Sequence, residues 1–140
     1  MKILLPVDGS DYTKRTLEYL GAHKELLPGD HEFTAFAVLE PFSPYKTNLA
    51  RAVSMEDFMR GQAEEVLGPV RSFAQQQGWK VETDYVPGSP VQAIVEKAEA
   101  LKPDLIVMGT RGRSGLGTLV LGSVANGVLG NCTIPMLLIR

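Results

Sequence analysis

Four glycines and two arginines fall within the nine residues 109–117, directly after a buried apolar run. Glycines let backbone N–H groups approach an anion closely, and successive N–H groups in such turns form a concave anion site. Arg111 and Arg113 add positive charge suited to a polyphosphate. A helix is expected to follow, and its N-terminus favours anions. The pattern predicts a phosphate-binding segment from Gly109 to Ser123, with a solvated surface turn as the alternative.

Two common nucleotide motifs do not fit this chain. The dinucleotide fingerprint G-x-G-x-x-G should follow the first strand, where the sequence instead has Asp8-Gly9-Ser10. The Walker pattern G-x-x-x-x-G-K-[ST] matches the glycine spacing of Gly117 and Gly122, but the lysine is missing. We therefore predict a phosphate site that is neither a dinucleotide turn nor an NTPase P-loop.

Apolar runs and helical periods alternate along the chain, and these elements must position the glycine-rich segment. The alternation predicts one α/β domain over residues 1–140, with a doubly wound five-stranded parallel sheet. A kink or break is expected in the second helix at Gly68-Pro69. The predicted strands are Ile3–Val7, Glu32–Leu39, Lys80–Val86, Asp104–Met108 and Ile134–Ile139; the predicted helices are Asp11–Leu26, Met55–Gln77, Pro90–Leu101 and Leu119–Leu129, the last with a C-cap at Gly130-Asn131.

Composition excludes several classes of protein. The net charge is -2 and the pI about 5.7, which argues against a nucleic-acid binder, since these carry a basic face. The single cysteine, Cys132, cannot form an intramolecular disulfide and fits the reducing cytoplasm. No segment approaches the roughly 18 apolar residues of a membrane helix. We expect a cytoplasmic protein that binds neither nucleic acid nor membrane.

The spacing Gly109-x-x-Gly112, nine residues, then Gly122-Ser123 resembles the universal stress protein signature G-2x-G-9x-G-[ST] at every specified position. The flanking segments agree, with Val-Asp-Gly-Ser after the first strand and Asp-Leu-Ile-Val-Met-Gly before the signature. The chain is identified over its whole length as a member of this family's ATP-binding type. The resemblance implies the Rossmann-like adenine nucleotide alpha hydrolase-like fold, with strand order 3-2-1-4-5.

The resemblance also implies a binding site for ATP, or for AMP or ADP, with Mg²⁺ or Mn²⁺ beside the phosphates. Asp8 would lie near the ribose and the metal, and the Val38 backbone would meet the adenine edge. Asp8 is also suited to capping the first turn, and Ser123 to capping a helix. The implied binding residues are Pro6, Val7, Asp8, Val38, Met108, Gly109, Thr110, Arg111, Gly112, Arg113, Ser114, Gly115, Gly122, Ser123 and Val124, with Asp8 also the metal ligand.

The sequence contains no recognisable catalytic constellation, since His23, His31 and Cys132 fall away from the proposed site. The family implies a stress-response or signalling module that binds ATP, hydrolyses it slowly at most, and is read by a protein partner of unknown identity. It also implies a homodimer through the apolar segment Ile134–Ile139, because an exposed edge strand invites pairing. The alternatives are a nucleotide-free dimeric scaffold that docks on a partner, and a nucleotide- or flavin-using enzyme of the same fold.

Overall fold

The computed structural model describes residues 1–41, 54–113 and 120–140. Strands and helices alternate along these residues, as the sequence predicts. A short 3-10 helix, Lys24–Leu26, follows the first α-helix. In chain order the other elements are β1 (Lys2–Val7), α1 (Asp11–Ala22), β2 (Glu32–Leu39), α2 (Met55–Gln77), β3 (Lys80–Pro87), α3 (Pro90–Leu101), β4 (Leu105–Gly109), α4 (Ser123–Asn131) and β5 (Met136–Ile139).

The five strands form one parallel sheet in the order β3-β2-β1-β4-β5, which confirms the predicted fold class. β1 lies at the centre and is buried on both faces, which explains its continuous apolar run. Alternate residues face opposite layers: Leu5 packs in a cluster with residues of α1 and α2, and Leu4 in a second cluster with residues of α3 and α4. β2, which follows β1 in the chain, lies on one side of β1 in the sheet, and β4 lies on the other side. A crevice opens at this point, where the strand order reverses.

Two helices have ends that differ from the prediction. α1 ends at Ala22 and not at Leu26, because His23 leaves helical geometry with φ −119° and ψ 60°. α4 begins at Ser123 and not at Leu119, because Gly122 is extended, with φ −69° and ψ 165°. α4 then continues to Asn131, so the predicted C-cap at Gly130-Asn131 is wrong and Cys132 takes that position.

Pro69 lies inside α2, which runs without a break from Met55 to Gln77, so the break considered at Gly68-Pro69 does not occur. Proline removes one backbone donor from a helix. Burial of Val66, Leu67 and Val70 on the sheet holds the helix together on both sides of the proline. The N-terminus follows the prediction, with the Ser54 hydroxyl accepting the N–H of Asp57 at 3.1 Å.

The last strand is shorter than predicted, because β5 begins at Met136 and not at Ile134. Pro135 has no N–H to donate to a ladder, although its carbonyl accepts from the Ile106 N–H at 2.9 Å. β4 and β3 each end one residue later than expected, at Gly109 and Pro87. Because the strands are parallel, the carboxyl ends of β1, β2 and β4 lie at one edge of the sheet, where the candidate site lies.

Candidate functional site

A cleft of about 470 Å³ lies over the carboxyl ends of β1, β2 and β4. It occupies the place where doubly wound sheets bind ligands. Most of the residues predicted for the site line it: Pro6, Val7, Asp8, Val38, Met108, Gly109, Arg111, Gly112, Arg113, Gly122, Ser123 and Val124. The structure therefore brings together residues from three strand ends and from the start of α4, although they are far apart in sequence.

One predicted residue, Thr110, does not line the cleft, and two more lie outside the described residues. Thr110 is buried; its N–H donates to the Ile139 carbonyl at 2.8 Å, and its carbonyl accepts the Gly122 N–H at 2.6 Å. Thr110 therefore connects the end of β4 to β5 and to the start of α4, and these hydrogen bonds hold residues that line the cleft in place. Ser114 and Gly115 fall in the range 114–119, which is outside the described residues.

The Asp8 side chain accepts several hydrogen bonds in the cleft. Its Oδ1 accepts the Ser10 N–H at 3.0 Å and the Thr13 hydroxyl at 3.0 Å. Its Oδ2 accepts the Arg113 N–H at 3.1 Å. The Asp8 N–H in turn donates to the Thr13 hydroxyl oxygen at 3.1 Å. Both carboxylate oxygens therefore hold protein N–H or O–H groups, so Asp8 caps the turn after β1 and also fixes the segment after β4.

Partial burial acts to raise the pKa of Asp8, because burial disfavours the charged form. Hydrogen bonds with Ser10, Thr13 and Arg113 act in the opposite direction and prevail, so the pKa lies below its ordinary value of 3.8. Donors that hold the charged form have this effect in general. Asp8 is therefore an anion at neutral pH, and its charge is engaged by groups of the protein itself.

Close contacts within the protein leave no room for a Cβ at Gly112 and little room for one at Gly122. A Cβ at Gly112 would overlap Oδ2 of Asp8. A Cβ at Gly122 would lie 3.2 Å from the Arg111 Cα and 3.3 Å from the Thr110 carbonyl oxygen. Two glycines of the sequence signature thus allow the segment after β4 to pack against β1 and against the start of α4.

The two arginines flank this packed segment. Arg111 is half-buried and Arg113 is exposed, and both line the cleft. The Arg113 guanidinium lies over the turn after β1, where a Cβ at Gly9 would be 3.3 Å from Nη2. Ser123, also exposed, is the first residue of the nine-residue helix α4. The β1–β4 side of the cleft therefore combines cationic side chains with a helix N-terminus, which favours anions.

Other residues that were not predicted from the sequence also line the cleft. They are Phe36, Ala37, Leu39, Glu40, Gln62, Glu65, Val66, Pro90, Ile94 and Ala125. Most are apolar residues of the sheet and its helices, and sequence cannot separate those from ordinary core. Gln62 is different, because it is a polar residue within the otherwise apolar stripe of α2. This polar residue in an apolar stripe is the sequence feature that could have indicated a role for Gln62 in the site.

The described residues provide little for the predicted metal. Within 1–41, 54–113 and 120–140, no group of three His, Cys, Asp or Glu side chains is arranged to hold an ion. Both Asp8 oxygens already accept hydrogen bonds, and Gly112 packs against one of them. In this conformation Asp8 does not fit as a direct ligand of Mg²⁺ or Mn²⁺, so that role stays a prediction from the resemblance.

A larger groove of about 1050 Å³ lies at the opposite edge, beside the amino ends of the strands. Lys80 pairs there with Glu32 at 2.8 Å. His31 also lines it, with Nε2 donating to the Leu27 carbonyl at 2.7 Å. The groove lacks the glycine signature and lies away from the switch point. The smaller cleft is therefore the better candidate for ligand chemistry.

The fold and the cleft define a doubly wound α/β domain whose glycine-rich segment and helix N-terminus meet at the sheet's switch point. A sequence profile of the universal stress protein family matches residues 1–140. The chain belongs to the universal stress protein family, as the resemblance predicts.

Two relatives illustrate the match in sequence. Universal stress protein MJ0531 of Methanocaldococcus jannaschii is 36% identical over 143 residues, covering 99% of this chain and 81% of that protein. A universal stress protein of Thermus aquaticus, from the QAH/OAS sulfhydrylase 3' region, is 33% identical over 144 residues, covering 99% and 97%. The likeness therefore extends through the whole chain and is not confined to the signature.

Solved structures show the same fold. Protein MJ0577 superposes with a TM-score of 0.76 at 24% identity, covering 99% of this chain and 94% of that one. An Arabidopsis thaliana family protein with AMP bound has a TM-score of 0.70 at 18% identity, covering 99% and 90%. The Archaeoglobus fulgidus protein in complex with dAMP has a TM-score of 0.65 at 23% identity, covering 100% and 98%. At these identities the likeness establishes the fold.

Among the helices that the structure describes, none is long and apolar enough to cross a bilayer.

Proposed function

We propose that this chain binds an adenine nucleotide, ATP in particular, in the cleft over β1, β2 and β4. The observation that carries the proposal is the complete signature spacing at that cleft, with Gly112 packed on Asp8 and Gly122-Ser123 opening α4. Support also comes from family members of the same fold that hold AMP and dAMP.

The proposed pose follows from the chemistry of the lining. Adenine lies between apolar residues at the ends of β1 and β2, with its polar edge on the Val38 backbone and its ring beside Pro6 and Val7. The phosphates lie over the β4 side, within reach of the two arginines and Ser123. Backbone N–H groups and a helix N-terminus stabilise such anions without any further group. Any Mg²⁺ or Mn²⁺ is then held mainly by phosphate oxygens.

The role we propose is regulatory and not primarily catalytic. Glu40 and Glu65 line the cleft but are exposed to solvent, whereas a general base is commonly tuned by burial and by charged neighbours. Bound ATP would fix the segment after β4, and a protein partner would read the resulting surface. Hydrolysis, if present, is slow. A cytoplasmic location is part of the same proposal.

Mass spectrometry of small molecules released from denatured purified protein tests the function most directly. We expect ATP, ADP or AMP in near-stoichiometric amount, or binding of added ATP by titration calorimetry. Added ATP with Mg²⁺ at about a hundred times the Kd should raise the free energy of unfolding by about 2.7 kcal/mol. Thermal stability unchanged by millimolar nucleotide contradicts the proposal and favours a nucleotide-free scaffold. Visible absorbance from a flavin favours the enzyme alternative.

We also propose that the chain forms a homodimer through Ile134–Ile139. β5 is an edge strand, and Met136, Leu137 and Leu138 are only partly buried in the single chain. Unpaired strand edges bearing apolar side chains favour pairing with a second chain. Light scattering at micromolar concentration should give twice the chain mass of 15.2 kDa. A strict monomer contradicts this part.

A further inference from the structure

Gln62 combines a position on the cleft with an unmet hydrogen-bonding group. It lies on α2 and lines the cleft. Its Oε1 is buried and has no hydrogen-bond partner among the described residues. Buried side-chain oxygens nearly always accept a hydrogen bond, and leaving one unpaired is unfavourable. The Gln62 Oε1 atom therefore lacks a hydrogen-bond donor, and a ligand bound in the cleft can provide one.

Its place in the cleft indicates which part of a ligand it meets. α2 packs on β2 and β3, whereas the glycine signature and Ser123 lie over β4. One turn after Gln62, Val66 touches the turn after β1, with Cγ2 3.4 Å from the position of a Cβ at Gly9. Gln62 thus lies on the side of the cleft that α2 and β2 form.

The charges on that side agree with this placement. Glu40, directly after β2, and Glu65, three residues after Gln62, also line the cleft and are exposed. Two carboxylates repel phosphate oxygens but tolerate neutral groups. A neutral amide beside them is suited to a base edge or a sugar hydroxyl, because it offers both an acceptor oxygen and N–H donors.

We propose that Gln62 hydrogen-bonds the nucleoside part of the bound nucleotide, and so contributes to affinity independently of the phosphates. This inference rests on the proposed nucleotide-binding function. It assigns α2 a direct part in recognition, beyond its packing on the sheet. It also explains why a polar residue interrupts the apolar stripe of that helix.

The test compares Gln62→Met with Gln76→Met. Methionine has a similar length without the amide, and Gln76 is an exposed residue of the same helix that does not line the cleft. Dissociation constants for adenosine and AMP are measured by NMR titration, which detects millimolar binding. A lost neutral hydrogen bond weakens binding by about 3- to 10-fold. We expect that loss for both ligands in Gln62→Met and no change in Gln76→Met.

Stability of the ligand-free protein gives a second readout. Because the amide oxygen has no partner there, Gln62→Met should leave Tm equal to or above that of wild type. Unchanged affinity for both ligands overturns the inference, as does a loss for AMP with adenosine unaffected, or a lowered Tm. If wild type binds neither of these ligands nor ATP, the proposed function itself fails, which is a different result from binding that does not depend on Gln62.

Discussion

The Oδ2 atom of Asp8 accepts the backbone N–H of Arg113 at 3.1 Å, across 105 positions of sequence. Through Oδ1 the same carboxylate holds Ser10 and Thr13 at the start of α1. One side chain therefore ties together the end of β1, the start of α1 and the segment after β4. Gly112 packs directly on that carboxylate. The floor of the cleft is thus organised by the protein's own hydrogen bonds.

The substitution Asp8→Asn should loosen the segment after β4. The asparagine side chain keeps an acceptor for Ser10 and Thr13, but its NH₂ group then faces the Arg113 N–H, so two donors meet. Hydrogen bonds to charged groups contribute about 1.5–3 kcal/mol, and we expect a loss of that order in the free energy of unfolding. Trypsin should also cleave after Arg111 and Arg113 faster than in wild type. Equal cleavage rates in Asp8→Asn and in the exposed control Asp30→Asn would contradict this.

The hydrogen bonds of the Asp8 carboxylate also predict how the stability of the fold depends on pH. Because the pKa of Asp8 lies below 3.8 in the folded protein, its carboxylate stabilises the fold fully above that pH. The stabilisation is lost as the pH falls through the lowered folded pKa. The Tm difference between wild type and Asp8→Asn should therefore be constant from about pH 8 to 5 and shrink below about pH 4. A difference that grows on acidification would show that the carboxylate is not held as described.

Much of this architecture can be predicted from sequence because local patterns dictate it. The apolar run of β1 and the period of α2 depend on burial that repeats every two or three to four residues. Helix ends were harder, because they depend on distant contacts. α4 starts at Ser123 because the Gly122 N–H bonds to the Thr110 carbonyl, and no local pattern reveals that. Pro69 is tolerated because the sheet holds both halves of α2.

The candidate site, too, could be predicted from sequence only in part. The signature glycines are recognisable because their spacing is fixed, but their reason is visible only in three dimensions, where Gly112 meets Asp8. Sequence offered Asp8 either as a cap or as a ligand of ribose and metal, and its contacts favour the cap. Residues of α2 were missed because α2 joins the cleft only through the packing of helix on sheet. The polarity of Gln62 within the apolar stripe of α2 was visible in the sequence, but only the fold shows that Gln62 lines the cleft.

Glycine substitutions should affect the free protein as well as ligand binding. Gly112→Ala introduces a Cβ that overlaps the Asp8 carboxylate, and overpacking of this kind costs about 1–3 kcal/mol of unfolding free energy. Gly61→Ala is the matched control, because Gly61 is an exposed position of α2 where a Cβ meets open space, so the substitution should stabilise the helix by about 0.5–1 kcal/mol. Chemical denaturation without nucleotide measures both. Should Gly112→Ala prove as stable as wild type, the glycine serves ligand binding alone.

Ser123→Ala separates ligand binding from stability more cleanly than any glycine change. Ser123 is exposed at the first position of α4, while Gly122 occupies the N-cap, so removing the hydroxyl should change the unfolding free energy by less than about 0.5 kcal/mol. If the hydroxyl donates to a phosphate, ATP and AMP should bind about 3- to 10-fold more weakly, with adenosine unaffected. Isothermal titration for the nucleotides and NMR titration for adenosine measure this. Ser72→Ala, exposed on α2 and away from the cleft, is the control. Equal weakening of adenosine and ATP would place the hydroxyl beside the nucleoside and overturn the proposed phosphate orientation.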